Sequence, residues 1–313
     1  MLKKIGFIVI VLVVVLLVNG ALYGFTLKHY EDDFRKGIAL YEEISENQVR
    51  LIDEISAHYA EFPPFDYSWL DQAHPLVAHA CGGIDGQTYT NSLEAFEYNY
   101  SLGHRVFEVD FTLTNDGVLV AAHDERRWRK ETDLTEEQMP FTAEAVRNVK
   151  LHGQYTSMSA KEIIETLAAH PDAWIITDSK FTDKAGIMAE FSQLVYWGQQ
   201  LAPEALERVI PQIYDEDMLA YLMAIYPFRS VVYTVYNTKT TDKMAFAFCK
   251  EAGIKVLVYP KARVTAERVQ MGHDMGVLTA THTEDDPEAA RGFFDMGVDV
   301  LYTNFLNPAD YAK

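Results

Sequence analysis

Short apolar or β-branched runs separated by helical patterns fill the chain from Leu76 onward, and this repetition leaves few architectures open. The runs fall at 76–79, 106–112, 118–123, 174–178, 209–213, 231–235, 255–259, 276–281 and 298–303. Helical spacing of apolar residues occupies 92–102, 160–170, 182–199, 241–252 and 286–296. Strand and helix alternating in this way is the pattern of βα units, whose parallel strands need a helical crossover to return. A doubly wound open sheet is the alternative, but no Gly-rich dinucleotide fingerprint follows the first strand. The expected fold is therefore α/β, a (β/α)₈ TIM barrel. Nine runs compete for eight barrel places, so one strand is accessory, and the sequence does not say which.

The N-terminal end has a different character. Residues 5–27 carry no charge, and 23 residues suffice for a helix to cross a hydrocarbon layer about 30 Å thick. Lys3 and Lys4 precede the run, so the positive-inside rule sends everything after Lys28 across the membrane. A cleaved signal peptide is the competing reading, since 5–18 has the length of a signal h-region and Gly20 and Ala21 follow it. Phe34, Ile38, Tyr41, Ile44, Leu51, Ile52 and Ile55 then recur at roughly helical spacing, and Phe62-Pro63-Pro64 ends that pattern. The expected organisation is a transmembrane anchor or signal segment at 1–28, a helical stalk at 29–61 and the barrel domain at 62–313. The protein is expected at the cell membrane as a single-pass protein with its main domain outside the cytoplasm.

Composition removes several classes of function. A formal charge of −19 repels a polyanion, so nucleic acid is not an expected partner. Two cysteines, Cys81 and Cys249, are too few for a disulfide scaffold or a Cys₄ zinc site.

The residues suited to chemistry stand where strands end. His79 closes the first run and leads into Cys81-Gly82-Gly83, at the edge where barrels build their active sites. In Phe107-Glu108-Val109-Asp110-Phe111 the strand period of two places Glu108 and Asp110 on one face. Two adjacent acids inside a barrel cost several kcal/mol in desolvation and repulsion unless a cation neutralises them or one is protonated. A bound divalent metal, Mg²⁺ or Ca²⁺, is the simplest remedy, because hard oxygen donors suit those ions; an ion pair with Arg105 is the plainer one. The turn Thr114-Asn115-Asp116-Gly117 lets the chain double back and bring His123 toward the acids. Asp178 and Lys180, two apart at the end of a later run, share a face in the same way. The glycines at 82, 83 and 86 leave backbone amides able to approach an anion or to form a tight loop, and Tyr233, Tyr236, Tyr259 and Tyr302 near later strand ends line a pocket or pack in the core.

The order and spacing of His79, Asn91-Ser92-Leu93-Glu94-Ala95-Phe96, Gly103, Glu108-Val109-Asp110-Phe111-Thr112-Leu113-Thr114, Asp116-Gly117 and His123-Asp124, with Asp178-Ser179-Lys180 and Tyr302-Thr303-Asn304 later, resemble the glycerophosphodiester phosphodiesterase family. The resemblance implies a TIM-barrel phosphodiesterase in which His79 and His123 are the acid–base pair. It further implies that Glu108, Asp110 and Asp178 ligate the divalent metal and that Lys180 contacts the phosphate. Imidazole suits both proton transfers because its ordinary pKa lies near 6.5.

The chain departs from the family pattern at Ala80, where an arginine is usual, and at Thr90-Asn91-Ser92, where Glu-Asn-Thr is usual. Arg105, Arg126 and Arg127 are candidates to supply the missing guanidinium. The expected function is metal-dependent hydrolysis of glycerophosphodiesters or phospholipid-type phosphodiesters, with small-molecule or membrane-lipid substrates. A catalytically weakened envelope protein that binds glycerophosphate-type ligands is the alternative. A glycosidase, which also pairs acids in barrels, leaves the two histidines without a role.

Overall fold

A computed structural model describes residues 64–312 apart from 73 and 237–239; the expected anchor at 1–28 and stalk at 29–61 lie outside the described residues. Among the described residues no helix is long and apolar enough to cross a membrane.

All nine runs form strands: β1 (Leu76–Ala78), β2 (Val106–Leu113), β3 (Leu119–Ala121), β4 (Trp174–Ser179), β5 (Val209–Ile213), β6 (Val232–Thr234), β7 (Val256–Pro260), β8 (Leu278–His282) and β9 (Val300–Thr303). Eight are parallel and close into a ring, with β1 bonded to both β9 and β2. The accessory strand is β3, which runs antiparallel to β2 alone, pairing Phe111 with Ala121 and Leu113 with Leu119. The reason lies in the connection: the short turn after Leu113 permits only a hairpin, whereas a parallel neighbour needs a full crossover.

Among the described residues ten α-helices accompany the strands: α1 (Leu93–Ser101), α2 (Glu125–Thr132), α3 (Ala143–Asn148), α4 (Ala160–Ala169), α5 (Lys184–Leu201), α6 (Pro203–Leu206), α7 (Glu216–Ile225), α8 (Asp242–Ala252), α9 (Ala266–Met275) and α10 (Pro287–Asp295). Ser92, Asp124, Thr142, Asp183, Asp215, Thr241, Thr265 and Asp286 each accept a backbone N–H of the first turn of the helix that follows. Such a cap is worth about 1 kcal/mol and fixes where each strand-to-helix loop ends.

The strands divide their side chains by parity. Val77, Val106, Ile176, Ile210, Val232, Val256, Val258, Ala280, Val300 and Tyr302 pack in the barrel interior, and Tyr67 and Trp69 close its lower end. Phe107, Val109, Phe111, Ile175, Val209, Ile213, Tyr233, Leu257 and Tyr259 belong to the larger layer between barrel and helices. The same parity has a consequence for chemistry. Two residues above inward Val106 stands Glu108, then Asp110; two above Ile176 stands Asp178; above Ile210, Gln212; above Val232, Thr234; and above Ala280, His282. An apolar lower layer thus carries a polar upper one on the same strands, at the end where barrel active sites are built.

Candidate active site

A cavity of about 430 Å³ opens at the C-terminal ends of the strands, and His79, Glu108, Asp110, His123, Asp178 and Lys180 all line it. The sequence-predicted residues are therefore brought together, with Tyr89, Gln212, Tyr214, Thr234, Tyr236, His282 and Tyr302 completing the wall.

Oxygen atoms of Glu108, Asp110 and Asp178 lie within 4.8 Å of one another. Each acid is held by a different partner. Glu108 Oε2 accepts the Ala80 N–H at 2.6 Å. Asp110 exchanges two bonds with Asn91: Asn91 Nδ2 donates to Asp110 Oδ2 at 2.9 Å, and the Asp110 N–H donates to Asn91 Oδ1 at 2.9 Å. Asp178 Oδ1 accepts from Gln212 Nε2 at 3.0 Å. The Lys180 ammonium donates to Asp110 Oδ1 at 2.5 Å and to Asp178 Oδ2, which leaves one N–H unassigned.

The electrostatics follow from this crowding. Burial, then the charges of Asp110 and Asp178, push Glu108 well above the usual carboxylate range. Burial also raises Asp178, against the pull of Lys180. For Asp110 burial is outweighed by the Lys180 ammonium, then by His79 and His123, so its pKa is lowered. Burial opposes the charge on Lys180, but Asp110, Asp178 and Glu108 raise its pKa and keep it an ammonium. Two buried carboxylates and one half-buried one share a single ammonium, and their all-oxygen donor set fits a hard divalent cation.

The two histidines are held in matching ways. His79 Nδ1 lies 2.9 Å from Asn304 Oδ1, and Asn304 Nδ2 donates at 2.7 Å to Asp285. Asp285 also accepts from Thr303 Oγ1 and from the N–H groups of Asn304 and Phe305. Because Asp285 takes the amide's N–H₂ side, the amide oxygen must face the imidazole. Nδ1 of His79 is then the donor, and Nε2, 4.0 Å from Glu108 Oε2, is left with its lone pair. Burial lowers the His79 pKa and favours the neutral ring. His123 Nδ1 lies 3.0 Å from Asp124 Oδ2, a carboxylate whose pKa is lowered, against burial, by the Arg127 N–H and by His123. The Tyr89 ring stands edge-on to both imidazoles, with centroids 4.7 Å from His79 and 5.7 Å from His123.

Other expectations separate in the structure. The start of the glycine loop is a tight turn: Gly82 donates to His79 O, Gly83 to Asn304 O and Ile84 to Gln87 O, so these three amides are already bonded. Gly82 is required for space, since a Cβ there would fall 2.3 Å from Asn99 Nδ2. Arg105 sits below β2, where its carbonyl accepts the first N–H of β4, and its guanidinium binds Asp172 at 2.7 Å. It is at the wrong end of the barrel to replace the missing arginine. Arg127 is close to His123 but bound to Glu131 and Thr88 O, with its guanidinium 4.5 Å above Tyr89. Cys81 is fully buried and burial raises its pKa, so the thiol is inert. Among the four tyrosines, Tyr236 and Tyr302 line the cavity, whereas Tyr233 and Tyr259 pack outside the barrel.

Asn91, Asn304, Asp285, Gln212 and His282 were not singled out by sequence reasoning as site residues. Gln212 and His282 follow from strand parity. Asn91 and Asn304 stand in the motifs that carry the family resemblance, but their partners, Asp110 and His79, are not adjacent to them in sequence, and no local pattern marks Asp285.

Comparison with known proteins bears on what this arrangement is for. The sequence pattern of the Glycerophosphoryl diester phosphodiesterase family matches residues 83–307. Among solved structures, a phosphodiesterase from Oleispira antarctica bound to the product sn-glycerol-3-phosphate is 18% identical, with 78% of this chain and 96% of that one aligned at a TM-score of 0.62. A glycerophosphodiester phosphodiesterase from Parabacteroides distasonis is 18% identical, with 77% and 95% aligned at 0.60. One from Thermotoga maritima is 19% identical, with 74% and 94% aligned at 0.56. At these identities the likeness to the three structures is one of fold.

Proposed function

Because the chain belongs to the glycerophosphoryl diester phosphodiesterase family, a family of phosphoric diester hydrolases, we propose that it cleaves glycerol-type phosphodiesters in the cavity at the top of the barrel. In this reading His79 and His123 are the proton-transfer groups, Glu108, Asp110 and Asp178 hold a divalent cation, Mg²⁺ or Ca²⁺, and Lys180 contacts the phosphate. The observation that carries it is the convergence of three carboxylates, one ammonium and two imidazoles, each imidazole bonded through Nδ1, on one cavity.

The chain's own groups divide the work. His79 is kept neutral by burial and presents an unprotonated Nε2, which suits it to take a proton from the attacking hydroxyl, whether of water or of the substrate itself. His123 is bonded to the ionised Asp124 and so is suited to hold the proton that the leaving alkoxide needs. The remaining N–H of Lys180 faces the phosphate oxygens as charge develops on them. A bound divalent cation would add Lewis-acid neutralisation of that charge. Gln212 and Asn91 hold Asp178 and Asp110 in place, so their role is to position the acids. Attack by water yields a phosphomonoester directly, and attack by a neighbouring substrate hydroxyl yields a cyclic phosphate.

Residues 5–27 support placing this activity outside the cytoplasm at a membrane, where glycerophosphodiesters and phospholipid head groups are within reach. The alternative, a binding protein without turnover, is favoured by one observation: position 80 offers only a backbone amide, and Glu108 already takes it. The test is turnover of glycerophosphocholine, glycerophosphoglycerol and lysophospholipids by the full chain with Mg²⁺, Ca²⁺ or chelator. Cation-dependent release of a phosphomonoester or cyclic phosphate is the expected result. Tight cation binding with no product from any of these substrates would assign the chain to the binding reading.

A further inference from the structure

A second cavity of about 430 Å³ adjoins the first, sharing Tyr89 and His123 with it and otherwise lined by Asp124, Arg126, Arg127 and Lys130. Its lining carries three cations against one carboxylate, in a chain whose formal charge is −19. Three features set this patch apart from an ordinary solvated face. Arg127 is fixed by Glu131, Thr88 O and the Tyr89 ring, so its charge is held at the wall between the two cavities. Arg126 and Lys130, one helical turn apart on α2, are exposed and bind no carboxylate among the described residues, whereas Arg129 beside them pairs with Glu125. Like charges at that spacing destabilise a helix, and the carboxylates nearest to them, Asp124 and Glu131, are already bonded to His123 and Arg127. An anion seated between Arg126 and Lys130 would offset the repulsion.

The position relative to His123 gives the patch its meaning. If His123 supplies the proton to the leaving alcohol, that alcohol departs on the side of the reaction cavity that opens toward Arg126 and Lys130. We propose that this second cavity is a leaving-group subsite for alcohols that carry an anionic group of their own, and that the preferred substrates are phosphodiesters with a second phosphate on the departing side. The inference rests on the hydrolase reading given above and extends it from reaction type to substrate class. An uncharged or cationic alcohol gains nothing from the subsite. A doubly anionic substrate gains two charge-assisted contacts at a place where the carboxylates of the main cavity are not its nearest neighbours.

The experiment compares two substrates on the full chain: glycerophosphocholine, and glycerophosphoglycerol bearing a terminal phosphate. The expected result is a higher kcat/KM for the phosphorylated substrate. In R126A/K130A the ratio of the two kcat/KM values should fall roughly tenfold through KM, and rising salt should erode it in the unmodified chain. The charge-conserving R126K/K130R should keep the preference, which separates lost charge from disturbed packing. Equal ratios in the unmodified chain and R126A/K130A would overturn the subsite. If neither substrate is turned over, the hydrolase reading has failed, and calorimetric affinities of the same two compounds decide the subsite separately. Tighter binding of the phosphorylated compound that R126A/K130A abolishes supports it; equal affinities overturn it.

Discussion

The two ends of the barrel make an informative comparison. Each has a cavity, about 490 Å³ below and about 430 Å³ above, so volume does not distinguish them. Each also has histidines, His74 and His104 below and His79, His123 and His282 above. Below, the rings of His74 and His104 stand 5.5 Å apart; His74 meets the backbone at Gly103 O and the Leu76 N–H, and His104 meets Leu306 O. Burial, then the neighbouring His74, lowers His104 to a pKa of about 3, so it stays neutral throughout the working range. Above, His79 and His123 bond through Nδ1 to polar side chains, and their Nε2 atoms are left for exchange. A histidine bonded to backbone ties strands together; a histidine oriented by side chains and facing acids is poised for chemistry.

Substituting one histidine from each end is the sharpest way to break this comparison. His79→Ala should lower kcat by about 10³-fold, within the range for loss of a general base, while the thermal midpoint changes little. Steady-state kinetics and a thermal melt on the same sample check both parts. Loss of stability with turnover intact would place His79 among the structural histidines.

His104→Ala should do the reverse. It empties a site that is 1% exposed and frees the Leu306 carbonyl, so a loss of about 3 kcal/mol is expected from cavity and hydrogen-bond terms. Denaturant unfolding measures the loss, and kcat per folded molecule should stay the same. A fall in kcat at unchanged stability would mean the lower end reaches the chemistry.

How much of this contrast was legible beforehand depends on range along the chain. Strand parity placed Glu108 with Asp110 and Asp178 with Lys180 on shared faces, because a period of two needs only local sequence. All nine strands were found, but assigning β3 to the outside required knowing that a hairpin, not a crossover, joins it to β2. The role of the site's holders was invisible for a different reason, although Asn91 and Asn304 stand in the motifs that carry the resemblance. Asn304 reaches His79 across 225 positions, and Asn91 reaches Asp110 across 19, through bonds that exist only once the barrel closes. For the glycine loop the sequence left an anion cradle and a tight loop open, because composition cannot show that the amides of Gly82, Gly83 and Ile84 have backbone partners.

The upper end should also be where stability depends on pH. Glu190 on α5 is fully buried behind β4, where Ser179 Oγ donates to Oε2 and Oε1 has no partner among the described residues. Burial pushes its pKa up to about 8, against the pull of Ser179 and Lys180. The folded protein therefore binds more protons than the unfolded chain between the ordinary glutamate value of 4.5 and about 8. Its contribution is fully present below that window and is lost as pH rises through it. Glu190→Gln, which mimics the protonated acid, should flatten the decline by roughly 2 to 4 kcal/mol across the window. Urea unfolding at several pH values tests this, and an unchanged slope would locate the titrating group elsewhere.

The finest distinction concerns two buried tyrosine hydroxyls. Tyr67, at the lower end, donates to Val231 O at 2.8 Å and accepts the Lys255 N–H at 2.9 Å. Tyr302, at the upper end, lines the reaction cavity, and its hydroxyl is buried with no hydrogen-bond partner among the described residues. A buried hydroxyl without a partner costs about 1 to 3 kcal/mol, so the folded state gains nothing from it. A bound polyol or phosphate would supply that partner. Tyr67→Phe should therefore destabilise the protein by about 1 to 2 kcal/mol and leave KM unchanged, because it frees two backbone groups far from substrate. Tyr302→Phe should leave stability unchanged or slightly higher and raise KM about tenfold, the loss of one well-placed hydrogen bond. Measured together, the pair separates a hydroxyl that serves the fold from one kept for the ligand. If Tyr302→Phe leaves KM unchanged, its hydroxyl is only filling the barrel, and recognition passes to Gln212, Thr234 and Tyr236 on the same wall.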